Sequence, residues 1–190
     1  MIEVGSYQGG SVLVFAGAMR PHSNILLIDM CDRKHAVPKL ERAIEQLRSE
    51  GHTVTLARCD SASDAAWNAA MTFGYAQFLY IDGCHRTPMV IHDYMTFRHF
   101  IEDGGLICFH DVAQPKLVRR AFEHYMTPVW DKQGLHYRVI GVGEYNRKNR
   151  PWATGIGLLE WNANVLDIEP TDELSLLEIV QGIDSGTIPH

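Results

Sequence analysis

The chain has 190 residues, 46% hydrophobic and 21% charged, with a formal net charge of -6. These are the proportions of a soluble globular protein with one sizeable core, or a core plus a short tail. The acidic balance argues against a general nucleic-acid binder, and no apolar run reaches the length of a membrane span.

Met1–Val4 reads as a short strand, followed by the glycine turn Gly5-Ser6-Tyr7-Gln8-Gly9 and a helix from Gly10 to about Met19. Asn24–Met30 is a continuous apolar run of the kind found in buried parallel strands. From Pro38 to Ser49, apolar residues at Leu40, Ala43, Ile44 and Leu47 follow amphipathic helical spacing, and Gly51 closes that helix. Thr53–Arg58 alternates as a strand, and Ser63–Phe73 reads as a helix with Ser63 or Ser61 as N-cap. Gln77–Ile81 is a buried strand that ends in Asp82-Gly83. Thr87–Ile101 is expected to be helical, with Pro88 in its first turn, before Gly104-Gly105 leads into the strand Leu106–Phe109. Lys116–Tyr125 is expected as a helix, then Tyr137–Val142 and Thr154–Glu160 as two final strands. The basic stretch Arg147-Lys148-Asn149-Arg150 lies in the polar loop between them. Residues 162–190 form an acidic tail with one helical pattern at Glu173–Val180, so the expected division is a domain over 1–161 and a tail over 162–190.

Strands alternating with helices imply a parallel sheet covered on both faces, with ligands beyond the carboxyl ends of the strands. Those ends carry Gly5-Ser6, Asp29, Asp60-Ser61, Asp82 and His110-Asp111. The glycine turn brings backbone N–H groups near a ligand without Cβ obstruction. Tyr7 stands where the dinucleotide fingerprint has its second glycine, which disfavours NAD. Glu3 instead suits a ligand with a cationic amino group. Asp29 falls 20 residues after Gly9, where a carboxylate can accept bonds from ribose hydroxyls. Asp60-Ser61 could hold an adenine amino group or serve only as turn and cap residues. Asp82 and Asp111, with His85 and His110, offer oxygen ligands for Mg²⁺ and imidazoles able to take a proton. His92, Asp93 and His99, on the intervening helix, are expected at the surface or in packing. Trp130, Tyr145 and Trp152 are expected in packing rather than on a planar substrate. The cysteines, Cys31, Cys59, Cys84 and Cys108, form no Cys-x-x-Cys pair, and a reducing, cytoplasmic setting is the simplest reading.

Three blocks in order, Glu3 to Gly9, Tyr80-Ile81-Asp82-Gly83-Cys84-His85, and Gly104-Gly105-Leu106-Ile107-Cys108-Phe109-His110-Asp111, resemble class I S-adenosylmethionine-dependent methyltransferases. The resemblance covers about residues 2–125 and is nearest the group of macrolide sugar O-methyltransferases and cephalosporin hydroxylase-like proteins. It implies a doubly wound, mostly parallel seven-stranded sheet of Rossmann-like type with an antiparallel final strand. It also implies S-adenosylmethionine as cofactor, contacted by Glu3, Gly5, Ser6, Tyr7, Gly9, Asp29, Asp60, Ser61 and Asp82. Mg²⁺ would be held by Asp82 and Asp111, with His85 as base. The family shows two adjacent acids where this chain has His110-Asp111; His110 is then a metal ligand favouring an ion such as Mn²⁺, an orienting group or a second catalytic base. The acceptor implied is a small-molecule or sugar hydroxyl, with no nucleic acid and no membrane; homo-oligomerisation is left open, as are a hydroxylase-like chemistry and a non-catalytic binding role. A cofactor turn beginning at residue 3 leads one to expect a trimmed domain without the usual amino-terminal cap.

Overall fold

A computed structural model describes residues 1–113, 118–140 and 155–163. Its elements are β1 (Ile2–Val4), α1 (Gly10–Ala16), β2 (Asn24–Asp29), α2 (Val37–Ser49), β3 (Thr53–Arg58), α3 (Asp64–Phe73), β4 (Ala76–Ile81), α4 (Thr87–Phe97), β5 (Ile101–His110), α5 (Val118–Arg120), α6 (Thr127–Gln133), β6 (Tyr137–Ile140) and β7 (Ile156–Glu160). The seven strands form one sheet in the order β3-β2-β1-β4-β5-β7-β6. Strands β1 to β5 pair in parallel, and β7 runs antiparallel to both β5 and β6. This is the expected doubly wound sheet with its antiparallel final strand.

The apolar run of β2 shows why both faces are covered. Ile25, Leu26, Leu27 and Ile28 are all buried, and successive side chains point to opposite faces. Leu26 and Ile28 join Ile2, Val4, Leu79, Ile81 and the apolar side of α4. Ile25 and Leu27 join Val12 of α1 and Leu40, Ile44 and Leu47 of α2. Helix α2 buries Leu40, Ala43, Ile44 and Leu47, the four residues its spacing singles out. Ser63 caps α3, accepting from the Ala66 amide at 3.4 Å, and Pro88 lies in the first turn of α4.

Three expectations need correction. Helix α1 stops at Ala16 rather than about Met19, capped by Gly17. Helix α4 stops at Phe97; Arg98–Phe100 is a 3-10 turn, and Ile101 already belongs to β5, paired with Ala76. The apolar spacing that carries a helical pattern to Ile101 is satisfied by a strand residue 2% exposed. The pairing then shifts register so that Phe78 faces Leu106, and Gly104 supplies a positive φ of 76° within the irregularity. Past Tyr125 the chain stays helical: Ala121–Met126 is a π-helical turn leading directly into α6, whose Pro128 sits in the first turn. The beginning of the expected helix at Lys116, the loop with Arg147–Arg150, Tyr145 and Trp152, the outer ends of the last two strands and the pattern at Glu173–Val180 lie outside the described residues.

Candidate active site

The β1–α1 turn is built around a buried acid. Glu3 is 0% exposed, its Oε1 accepts a hydrogen bond from the Ser11 hydroxyl, and its Oε2 has no hydrogen-bond partner among the described residues. Burial pushes its carboxyl up to about 7; the hydroxyls of Ser11 and Ser6 oppose that, and the charges of Asp82 and Asp29 add to it. A buried carboxyl of this kind is costly to ionise unless a donor or a cation faces it. Ser6 is 2% exposed, its hydroxyl likewise without a partner among the described residues.

The two glycines of the turn do different work. Gly5 has φ 86°, and a Cβ there would lie 2.3 Å from the Asp82 carbonyl oxygen and 2.5 Å from Gly83 Cα. The β1–α1 and β4–α4 turns therefore touch, backbone to backbone. Gly9, with φ 79°, would press a Cβ to 2.6 Å from Ala43 Cβ, so its smallness is used for packing α1 against α2. Tyr7 adopts φ 48°, and its amide donates to Asp29 Oδ2 at 2.8 Å, while Cys31 donates to Oδ1 at 2.7 Å. Asp29 is thus pinned at the end of β2 by two amides. The Tyr7 hydroxyl lies 3.0 Å from His35 Nε2, with the Arg33 guanidinium 5.6 Å from the ring centre. Sequence reasoning missed both partners, because nothing in the loop after β2 marks them. Asp60 is exposed, and its Oδ1 accepts from the Ala62 amide at 3.0 Å; with Ser61 it forms the turn that starts α3.

The ends of β4 and β5 converge as expected. The Asp-x-x-His spacing folds His85 back so that its Nε2 lies 3.1 Å from Asp82 Oδ1. His110 Nδ1 lies 3.0 Å from the same oxygen and 3.3 Å from Asp111 Oδ1. The other nitrogen of His85, Nδ1, lies 3.3 Å from Asp111 Oδ2. Asp111 is 4% exposed and holds φ 62°, a left-handed conformation that costs a non-glycine residue about 1 kcal/mol or more. Burial alone would push the Asp82 carboxyl up, but its bonds to His110 and His85 outweigh this and hold it below the usual range. Both imidazoles are correspondingly raised, in each case chiefly by the bond to Asp82. The ligand atoms of Asp82, His85 and His110 lie within 4.8 Å of one another. Two imidazoles and a carboxylate do not make the oxygen shell that Mg²⁺ takes, so this donor set is a poor fit for that ion.

Asp93, expected at the surface or in packing, and Trp130, expected in packing, are both buried. Asp93 is 0% exposed under Gly83, neither of its oxygens has a hydrogen-bond partner among the described residues, and burial raises its carboxyl. Its place between Val90, Tyr94 and Phe97 on the core face of α4 was the available signal. Trp130 is fully buried as expected, donating to the Tyr94 hydroxyl at 2.9 Å.

Residues 2–112 match the model of the methyltransferase domain family. Among curated proteins, none matches this sequence. The fold is similar to that of the O-methyltransferase TomG from Streptomyces achromogenes, involved in tomaymycin synthesis and solved with S-adenosylmethionine (TM-score 0.60, 12% identity, covering 85% of this chain and 72% of that one). It is similar to CalS11, a TDP-rhamnose 3'-O-methyltransferase of calicheamicin biosynthesis (TM-score 0.58, 12% identity, 85% and 71% covered). An rRNA methylase from Streptococcus thermophilus shares the fold as well (TM-score 0.55, 15% identity, 84% and 85% covered). Sheet order, glycine turn and family match agree, and the chain belongs to the methyltransferase domain family, with the Rossmann-like fold of class I S-adenosylmethionine-dependent methyltransferases.

Proposed function

We propose that this chain transfers a methyl group from S-adenosylmethionine to a hydroxyl of a small molecule or sugar. The observation that carries the reading is the contact of Gly5 with the Asp82 carbonyl, which sets the glycine turn directly beside the imidazole–carboxylate cluster. Glu3 would take the cofactor's ammonium, Asp29 its ribose hydroxyls, and the turn after β3 its adenine edge. The cofactor supplies an electrophilic methyl on a sulfonium; the acceptor oxygen forms the new bond to that carbon as the carbon–sulfur bond breaks, leaving a thioether. What remains for the protein is alignment and removal of one proton. His85 and His110, both beside Asp82, would receive it.

The similarity to TomG and CalS11 supports oxygen as the acceptor atom. The net charge of -6 weighs against a nucleic-acid acceptor despite the shared fold of an rRNA methylase. The free cysteines Cys31, Cys59, Cys84 and Cys108 support a cytoplasmic setting. No helix of the described residues is long and apolar enough to cross a membrane. The test is release of S-adenosylhomocysteine in the presence of panels of sugar and phenolic hydroxyl compounds. Asp82→Asn should lower turnover by about 100-fold or more. Turnover unchanged in that variant would remove the cluster from the reaction.

A further inference from the structure

We infer that the aromatic groove at the amino-terminal ends of β4 and β5 is a docking site for this chain's own acidic tail, which enters it through the apolar positions of residues 176–183. The groove encloses about 350 Å³ and is lined by Trp67, Met71, Gly74, Tyr75, His99 and Phe100. Trp67 and Met71 are four residues apart on α3 and so share one face of that helix. The Trp67 ring stands edge-on to Phe100, 4.9 Å between centres, and to His99 at 6.5 Å. Even so, Trp67 is 40% exposed, Met71 59% and Tyr75 73%. Together they present roughly 300–400 Å² of surface, the size at which an apolar patch marks an interaction site.

The size of the patch chooses among occupants. A stable interface between two copies buries about 800 Å² on each, roughly twice what the groove offers. A tethered segment needs less, because its effective concentration is in the millimolar range. The last described residues lie at the same end of the sheet as the groove. Gly104 donates to the Trp161 carbonyl at 2.9 Å, Trp161 donates to that of Gly105 at 2.8 Å, and the Ala163 amide donates to Asp103 Oδ1 at 3.0 Å. Asp103 is two residues from Ile101, which pairs with Ala76, the neighbour of Tyr75. Residues 164–175 can span up to about 40 Å when extended, ample for that separation.

The composition of residues 164–190, which lie outside the described residues, fits the groove. Leu176, Ile179, Val180 and Ile183 fall at i, i+3, i+4 and i+7, the apolar face of a helix, with Glu178 on the opposite side. The segment has six Asp and Glu and no Lys or Arg, so it carries the whole formal net charge of -6. An apolar face within so acidic a segment can meet an apolar groove while its far side stays in water. The six residues of β4 separate this groove from Asp82 by about 20 Å, so the inference is independent of the proposed function.

The test is hydrogen–deuterium exchange of the full chain without ligand. Amides of residues 176–183 should exchange about 10-fold or more slowly than in a free peptide of that sequence. Met71→Glu, a change at an exposed position, should remove the protection from the groove side, and Ile179→Glu should remove it from the tail side. Tyr75→Ser provides a second groove variant, and circular dichroism melts establish that each protein is folded. Sedimentation velocity on the same samples should show a monomer. Free-peptide exchange in the unaltered chain, or protection that survives both groove variants, overturns the inference. So does protection that appears only at concentrations where the chain dimerises, since the occupant is then a second copy.

Discussion

Gly5 has neither room for a side chain nor a backbone conformation that tolerates one. Its φ of 86° is left-handed, and the atom a Cβ would strike is a carbonyl oxygen of the adjoining turn, which cannot swing aside. Gly5→Ala should therefore cost about 2 kcal/mol or more of stability in urea melts and displace Asp82, whereas a change within 0.5 kcal/mol would mean the turns are not in contact. Glu3 carries a pH signature. Its carboxyl is raised to about 7, chiefly by burial, so the folded state binds its proton more tightly than the unfolded state. Stability of the unliganded protein should fall as pH rises from about 4.5 to about 7, by on the order of 3 kcal/mol, and then level. Cofactor affinity should strengthen over the upper part of that range, since the ionised carboxylate is the form that attracts an ammonium. Glu3→Gln should flatten both curves, read by melts and calorimetric titration across pH; a flat curve in the unaltered protein contradicts the assignment. Asp29, Asp82 and Asp111 as strand-end acids, and Glu3 two residues before the first glycine of the turn, are legible in the sequence. Whether an acid is pinned by the amide of a residue 22 positions away, as Asp29 is by Tyr7, or buried beneath another turn, as Asp93 is under Gly83, depends on the tertiary fold.

At the scale of elements, legibility followed the strength of the local signal. Strand β2 and helix α2 announce themselves because Ile25–Ile28 in the one, and Leu40, Ala43, Ile44 and Leu47 in the other, are all buried. The end of α4 does not, because Ile101 satisfies the helical pattern and the strand pairing equally well, and only the partner Ala76 decides. The run from Val118 to Gln133 extends past the expected end at Tyr125 because the π turn at Ala121–Met126 delivers Pro128 into the first turn of α6. The antiparallel strand β7 offers an element-scale test. Gly157 faces Phe122, and a Cβ there would lie 2.3 Å from the ring. That ring packs against Phe109, Trp130 and Tyr137 and has nowhere to retreat. Gly157→Ala should destabilise the protein by about 1–3 kcal/mol. Cofactor affinity should stay unchanged, since β7 lies beyond β5 from the glycine turn. A loss of cofactor affinity in this variant would show that the sheet edge and the turn are coupled.

For the whole molecule, the topology does the convergent work. Strands β1 and β4 are neighbours, as are β4 and β5, so acids that are 79 and 108 residues apart from Glu3 in the sequence meet at one rim (Asp82 and Asp111). Alternation of strand and helix makes that rim predictable; the pairings within it, such as Asp111 with His85 across 26 residues of sequence, are not, because no local pattern marks them. The central claim is that this rim holds S-adenosylmethionine. The most direct test is the melting temperature of the unaltered chain with S-adenosylmethionine, S-adenosylhomocysteine or NAD. A ligand at 100 times its Kd stabilises by about 2.7 kcal/mol, which for a chain of this size raises the midpoint by roughly 5–10 °C. That rise is expected with either sulfur compound and not with NAD; a rise with NAD alone, or none with S-adenosylmethionine, would contradict the account.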